Sequence, residues 1–115
     1  MKRQVWRARK LAMFAALPVS GILTQFGCAS RKAESHEVAI RGFQYAPATL
    51  SVRTGDTVGW TNQDIVPHTA TGEASGLNSG SMDTGKVWRY VAVTKGSYSY
   101  KCAFHPTMVG TIEVR

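Results

Sequence analysis

The segment Cys102-Ala103-Phe104-His105-Pro106-Thr107-Met108 places a thiolate, an imidazole and a thioether at intervals of three residues, and all three are soft or borderline metal ligands. A single cysteine in an apolar strand is ordinarily a small buried hydrophobe. With three His and four Met in 115 residues, a His at +3 and a Met at +6 from a given Cys should coincide by chance only about once in a thousand. One thiolate, two imidazoles and a weak axial thioether form a donor set that suits copper in both oxidation states. The second imidazole is available at His68, in Ile65-Val66-Pro67-His68-Thr69, whereas His36 stands in a polar stretch where solvation is the expected state. Zinc accepts Cys and His but has little use for a thioether, so Met108 favours copper over zinc.

These residues must be held by strands, because the chain from Glu37 onward alternates with period two. Val38 and Ile40, Leu50 and Val52, and Val58 and Trp60 share inward faces, with Glu37, Arg41, Ser51, Arg53, Thr57 and Thr61 opposite. Ala46-Pro47, Thr54-Gly55-Asp56 and Asn62-Gln63-Asp64 are turn signals between them. Gly72 to Gly85 is mostly loop. A strand from Lys86 to Val93 has no inward face that alternation can select. In Ser97 to Cys102 the tyrosine face, Tyr98 and Tyr100, is the buried one, which aims Cys102 at the core from the strand's end. Val109 to Val114 closes the chain. Six or more short strands in some 80 residues predict an antiparallel sandwich or barrel.

The headline charge belongs mainly to the N-terminus. Fourteen Lys and Arg against seven Asp and Glu give +7, with a pI of about 9.9, but five of the fourteen lie in MKRQVWRARK, leaving nine against seven. The remaining cations are scattered, which removes the support for nucleic-acid binding. Leu11 to Phe26 carries no charge, and the basic start followed by this run has the order of a secretory signal peptide covering residues 1–29. Its sixteen residues, interrupted by Pro18, Gly21 and Gln25, fall short of the roughly 20 a membrane-spanning helix requires; a retained anchor is the alternative. Two processing points fit: after Ala29, or before Cys28 with lipid on its thiol. Residues 30–36 are a polar lead-in and residues 37–115 a single domain, in which Cys102 has no intrachain disulfide partner.

Gly42-Phe43-Gln44-Tyr45-Ala46-Pro47, Gly55-Asp56-Thr57-Val58-Gly59-Trp60-Thr61-Asn62, Val66-Pro67-His68-Thr69 and Gly96 through Met108 together resemble the cupredoxins, the small blue copper proteins. The Cys102, His105, Met108 spacing with Pro106 is similar to the short ligand loop of the family's amicyanin branch, plastocyanins having a longer one. The resemblance implies an eight-stranded Greek-key β-sandwich and one type 1 copper bound by His68 Nδ1, Cys102 Sγ, His105 Nδ1 and, more weakly, Met108 Sδ. It implies supporting roles for Asn62 and for Thr69, whose N–H would donate to the Cys102 sulfur. Many members have Asn at Thr69, and amicyanins usually have Thr-Pro at Ala103-Phe104.

Four ligands on one ion leave no position for a substrate, and no second cluster of acids and bases is evident. A monomeric, periplasmic one-electron carrier is therefore expected rather than an enzyme. Its expected contacts are transient, with redox proteins such as a c-type cytochrome or a periplasmic dehydrogenase, and with a membrane only through an N-terminal lipid or anchor. A copper carrier or store is the rival metal-binding reading. A metal-free immunoglobulin-like module would explain the strands but not the ligand spacing.

Overall fold

A computed structural model of the chain describes residues 30–115 continuously, with positions 15, 16, 18, 21, 22 and 27 before them. The expected signal peptide, including Cys28 and Ala29, falls largely outside the described residues. Nine strands occur among those described: β1 (Ser35–Arg41), β2 (Gln44–Ala46), β3 (Thr49–Val52), β4 (Thr57–Asn62), β5 (Thr71–Gly72), β6 (Leu77–Asn78), β7 (Val87–Val91), β8 (Gly96–Lys101) and β9 (Val109–Val114). They form a four-stranded sheet ordered β2-β1-β4-β7 and a five-stranded sheet ordered β3-β9-β8-β5-β6. The count exceeds the expected eight because β5 and β6, two residues each, pair at a sheet edge in the glycine-rich stretch expected to be mostly loop.

The sandwich is mixed rather than purely antiparallel. After the β1–β2 hairpin the chain crosses to the second sheet as β3 and returns as β4 beside β1, which makes β1 and β4 parallel; β3 and β9 are parallel as well. A parallel neighbour requires such a crossover, and alternation within each strand carries no trace of it. The inward residues are those that alternation selects: Val38, Ile40, Val52, Val58, Trp60, Tyr100, Ile112 and Val114 are buried. In β7 the undecided face resolves to Trp88 and Tyr90, half-buried against the core, while Val87 and Val91 are exposed. The sheets meet through aromatic edges, with Tyr100 of one sheet 4.6 Å from Tyr45 and 5.4 Å from Trp60 of the other, centroid to centroid.

Two glycines make room for this packing, in different ways. Gly110 pairs with Tyr100 across β8 and β9, and a Cβ there would lie 2.4 Å from the buried Tyr100 ring. Gly59 lies under an ion pair between Glu37 of β1 and Arg89 of β7, Nη1 to Oε1 3.1 Å, and a Cβ would crowd only those exposed side-chain ends.

At the end of the sandwich where β4 begins, Asp56 ties down the lead-in, whose last two residues already belong to β1. Its Oδ1 accepts from Arg31 Nη2 at 2.7 Å and Glu34 N at 3.0 Å; its Oδ2 accepts from His36 Nε2 at 2.9 Å and Arg53 N at 3.0 Å. His36, expected to be solvated, is therefore partly buried against a carboxylate. The backbone N–H groups of Glu34 and Arg53, then His36 and Arg31, hold the Asp56 carboxyl well below the usual carboxylate range against the opposing effect of desolvation.

Gly110→Ala should cost about 1–3 kcal/mol, an overpacking penalty, while Gly59→Ala costs less because Glu37 and Arg89 can move aside; denaturant unfolding of the two variants checks the order. A carboxyl with a depressed folded pKa adds stability that is present above about pH 4 and lost as pH falls below it. Asp56→Asn should therefore destabilise at pH 7, and its deficit against wild type should shrink as pH drops below about 4, as read from unfolding at a series of pH values.

Candidate metal centre

Two loops at the opposite end of the sandwich carry the predicted residues. The first follows β4 and is organised by one buried amide. Asn62 Nδ2 donates to Val66 O at 2.9 Å and Met82 O at 2.8 Å, and Asn62 Oδ1 accepts from Asp64 N at 2.9 Å. His68 is then fixed by a backbone bridge to Met82, His68 N to Met82 O 3.1 Å and the reverse bond 2.8 Å. The resulting turn carries His68 into the interior, where it is fully buried.

The second loop joins β8 to β9 and closes on itself. Cys102 N donates to Met108 O at 3.0 Å, His105 N to Cys102 O at 3.3 Å and Met108 N to His105 O at 2.9 Å. These bonds return the chain after six residues, so that Met108 is buried next to the start of β9 while His105 stays partly exposed. Cys102, one residue past β8, is fully buried as the tyrosine face predicts.

Thr69 joins the two loops from both ends of the residue. Its N–H donates to Cys102 Sγ at 3.3 Å, and its Oγ1 accepts from Ala103 N at 2.8 Å. Tyr45 in β2 donates its hydroxyl to the Thr69 carbonyl. Burial, then the neighbouring Cys102 and Tyr100, pushes the Tyr45 pKa up, so that phenol keeps the proton it donates.

The geometry brings Cys102 Sγ to 3.7 Å from His68 Nδ1 and 3.6 Å from His105 Nδ1. A first-row ion bound at about 2.0–2.3 Å with trigonal angles separates its sulfur and nitrogen donors by about 3.6–3.8 Å. Spacing and donor chemistry, one thiolate with two imidazoles, therefore fit a type 1 copper ion. His36 lies in the second group of potential ligand atoms, with Glu34 and Asp56.

Two contributors escape sequence reasoning. Asp64, read there only as a turn residue, has Oδ2 2.8 Å from His68 Nε2, while its two oxygens accept from Gly42 N at 2.7 Å and Phe43 N at 3.0 Å. Desolvation opposes ionisation, but the N–H groups of Phe43 and Gly42, followed by His68, hold the Asp64 carboxyl below its ordinary pKa. Phe43 turns its ring edge-on to both imidazoles, with centroids 5.1 Å from His68 and 4.9 Å from His105. Its proximity to the Cys102 loop, some sixty residues away in the chain, has no local signal.

A sequence profile of the copper-binding proteins of the plastocyanin/azurin family matches residues 32–115. The chain is 32% identical to amicyanin of Paracoccus denitrificans over 83 residues, covering 67% of this chain and 63% of that one. It is 25% identical to amicyanin of Paracoccus versutus over 115 residues, covering 95% and 81%. A reduced amicyanin variant superposes with a TM-score of 0.66 at 30% identity, over 70% of this chain and 82% of that one. A copper-containing nitrite reductase from Thermus scotoductus has the same TM-score at 24% identity, over only 22% of its length, and shares the fold.

Thr69→Val keeps the side-chain shape but deprives the Ala103 N–H of its acceptor. It should cost about 0.5–1.5 kcal/mol in denaturant unfolding of the metal-free chain, the net worth of one partly buried hydrogen bond.

Proposed function

The chain belongs to the plastocyanin/azurin family of copper-binding proteins, and on that premise we propose that it is a periplasmic carrier of single electrons. The observation that carries this reading is the convergence of two imidazole nitrogens on one thiolate sulfur, at 3.6 and 3.7 Å, at a buried end of the sandwich. In it His68 Nδ1, Cys102 Sγ and His105 Nδ1 bind one copper ion, with Met108 Sδ as the weaker axial ligand. Copper supplies the one-electron couple.

The chain's own residues limit what accompanies that couple. Full burial of Cys102 and His68 excludes water and leaves no room for a substrate, which favours a carrier over an enzyme. The same burial disfavours a copper-delivery role, which needs ligands that a partner can reach. Hydrogen bonds along both loops hold the donors in place, so little rearrangement accompanies a change of charge. The N–H of Thr69 withdraws electron density from the thiolate and tunes the potential.

Around the partly exposed His105, Phe104 is 53% and Phe43 49% exposed. This apolar rim is the proposed docking surface for a transient redox partner, in the class of a c-type cytochrome or a periplasmic dehydrogenase. Such partners meet over less than about 1,200 Å² and separate readily. Residues 1–29 act as the export signal, ending after Ala29 or before a lipidated Cys28.

Oxidised full-length protein should hold one copper per chain and show an intense thiolate-to-copper band in the visible. Cys102→Ser should abolish the band, because a hydroxyl does not supply the thiolate bond. Met108→Leu should keep it and raise the reduction potential, and Met108→Gln should keep it and lower the potential, as read by voltammetry. Tightly held zinc with no visible band after copper reconstitution would overturn the reading. Unchanged potentials in both Met108 variants would remove Met108 from the ligand set.

A further inference from the structure

The turn between β1 and β2 is conformationally expensive, and its position gives a reason. Arg41 pairs with Gln44, so Gly42 and Phe43 alone make the turn, and both adopt the left-handed region, φ 60° and 58°. Two-residue turns of this kind are relaxed with glycine or asparagine at the second position; a bulky aromatic there is a steric outlier. Strain of this kind persists where the surrounding structure over-determines it.

Here the surroundings are the copper end itself. The Asp64 carboxylate accepts both turn N–H groups, an arrangement in which successive amides cradle an anion. The same carboxylate accepts from His68 Nε2, which leaves Nδ1 as the lone-pair nitrogen facing Cys102. The turn so held lays Phe43 nearly perpendicular to both imidazoles, at 86° and 88°, while the imidazole centroids are 5.0 Å apart. Half of Phe43 remains exposed, so part of the ring packs against the imidazoles and the rest meets solvent.

We propose that Asp64 and Phe43 form a latch and lid on the copper site: Asp64 orients His68 and pins the turn, and Phe43 shields the edges of both imidazoles from water and small anions. The inference rests on the ligand assignment proposed above. Asp64 is a positioning residue that acts through His68, and its negative charge beside that imidazole favours the oxidised form. Because one carboxylate holds the lid and the ligand together, loosening either should be felt by the other.

Full-length variants test this, with azide as the probe of access. Wild type must first give the blue band; if it does not, the copper reading itself fails, and that failure is distinct from failure of the latch. Asp64→Ala should raise the copper dissociation constant roughly 10–100-fold, as loss of a ligand-orienting partner typically does. Asp64→Asn, which preserves size, should raise the reduction potential and let azide perturb the band at lower concentration than in wild type. Phe43→Gly relaxes the left-handed turn, so its thermal midpoint should not fall, yet azide should again act at lower concentration; Phe43→Trp should restore protection. If Asp64→Ala does not fold, Asp64→Asn and Phe43→Gly carry the same readouts. Potential, affinity and azide response all unchanged in folded Asp64 variants would overturn the latch. A Phe43→Gly site as closed to azide as wild type would overturn the lid. An Asp64→Asn variant that shifts the potential but not the azide response would refute the coupling between them.

Discussion

The copper end depends on Thr69, which links two loops that are far apart in sequence. Its N–H reaches the Cys102 sulfur and its hydroxyl oxygen holds the next residue of the same loop, Ala103. Without that double attachment, the His68 loop after β4 and the Cys102 loop after β8 would be joined at this end mainly by side-chain packing, and the separations among their donor atoms would be free to vary. With it, hydrogen bonds join the two loops that carry Sγ and the two Nδ1 atoms. The sandwich supplies what lies beneath, a close-packed aromatic layer of Tyr45, Trp60 and Tyr100 from which Tyr45 also braces the Thr69 carbonyl.

This arrangement makes the site rigid for reasons independent of the metal. Asn62 satisfies two backbone groups of its own loop and the Met82 carbonyl that faces it, and the 102–108 loop satisfies three of its own. Buried polar groups paired in this way rigidify a region, since each alternative conformation leaves one unsatisfied. Rigidity suits electron transfer, in which the donor geometry should serve both oxidation states. Any ion that binds only the folded chain adds its binding free energy to this scaffold.

What the sequence made legible was short-range. Period-two alternation located the inward faces of β1, β3, β4 and β8, and parity along Ser97 to Cys102 placed the thiol in the core. The 102–105 spacing, with His68 as the second imidazole, named three residues whose donor atoms the fold brings together. What stayed hidden was long-range or against propensity. Asp64 meets the 42–43 turn across some twenty residues, and Asp56 gathers Arg31, Glu34 and His36 across a similar gap; each looks like an ordinary turn residue in its own segment. Phe43 sits in a conformation that its residue type disfavours, so local rules argue against the very turn it makes. In β7, an edge strand, apolar residues on both faces masked the inward pair of Trp88 and Tyr90. The parallel pairings follow from where the chain crosses between sheets, which alternation does not encode.

In the proposed centre, one copper ion is bound by the Cys102 thiolate together with His68 and His105. X-ray absorption at the copper edge on the oxidised full-length protein tests it most directly, because it reads the identity and distance of the donor atoms without reference to colour or activity. The spectrum should show one short copper–sulfur bond with two imidazole nitrogens, the sulfur contribution vanishing in Cys102→Ser. A copper shell made only of nitrogen and oxygen in the wild-type chain, or a sulfur contribution that survives that substitution, would contradict it.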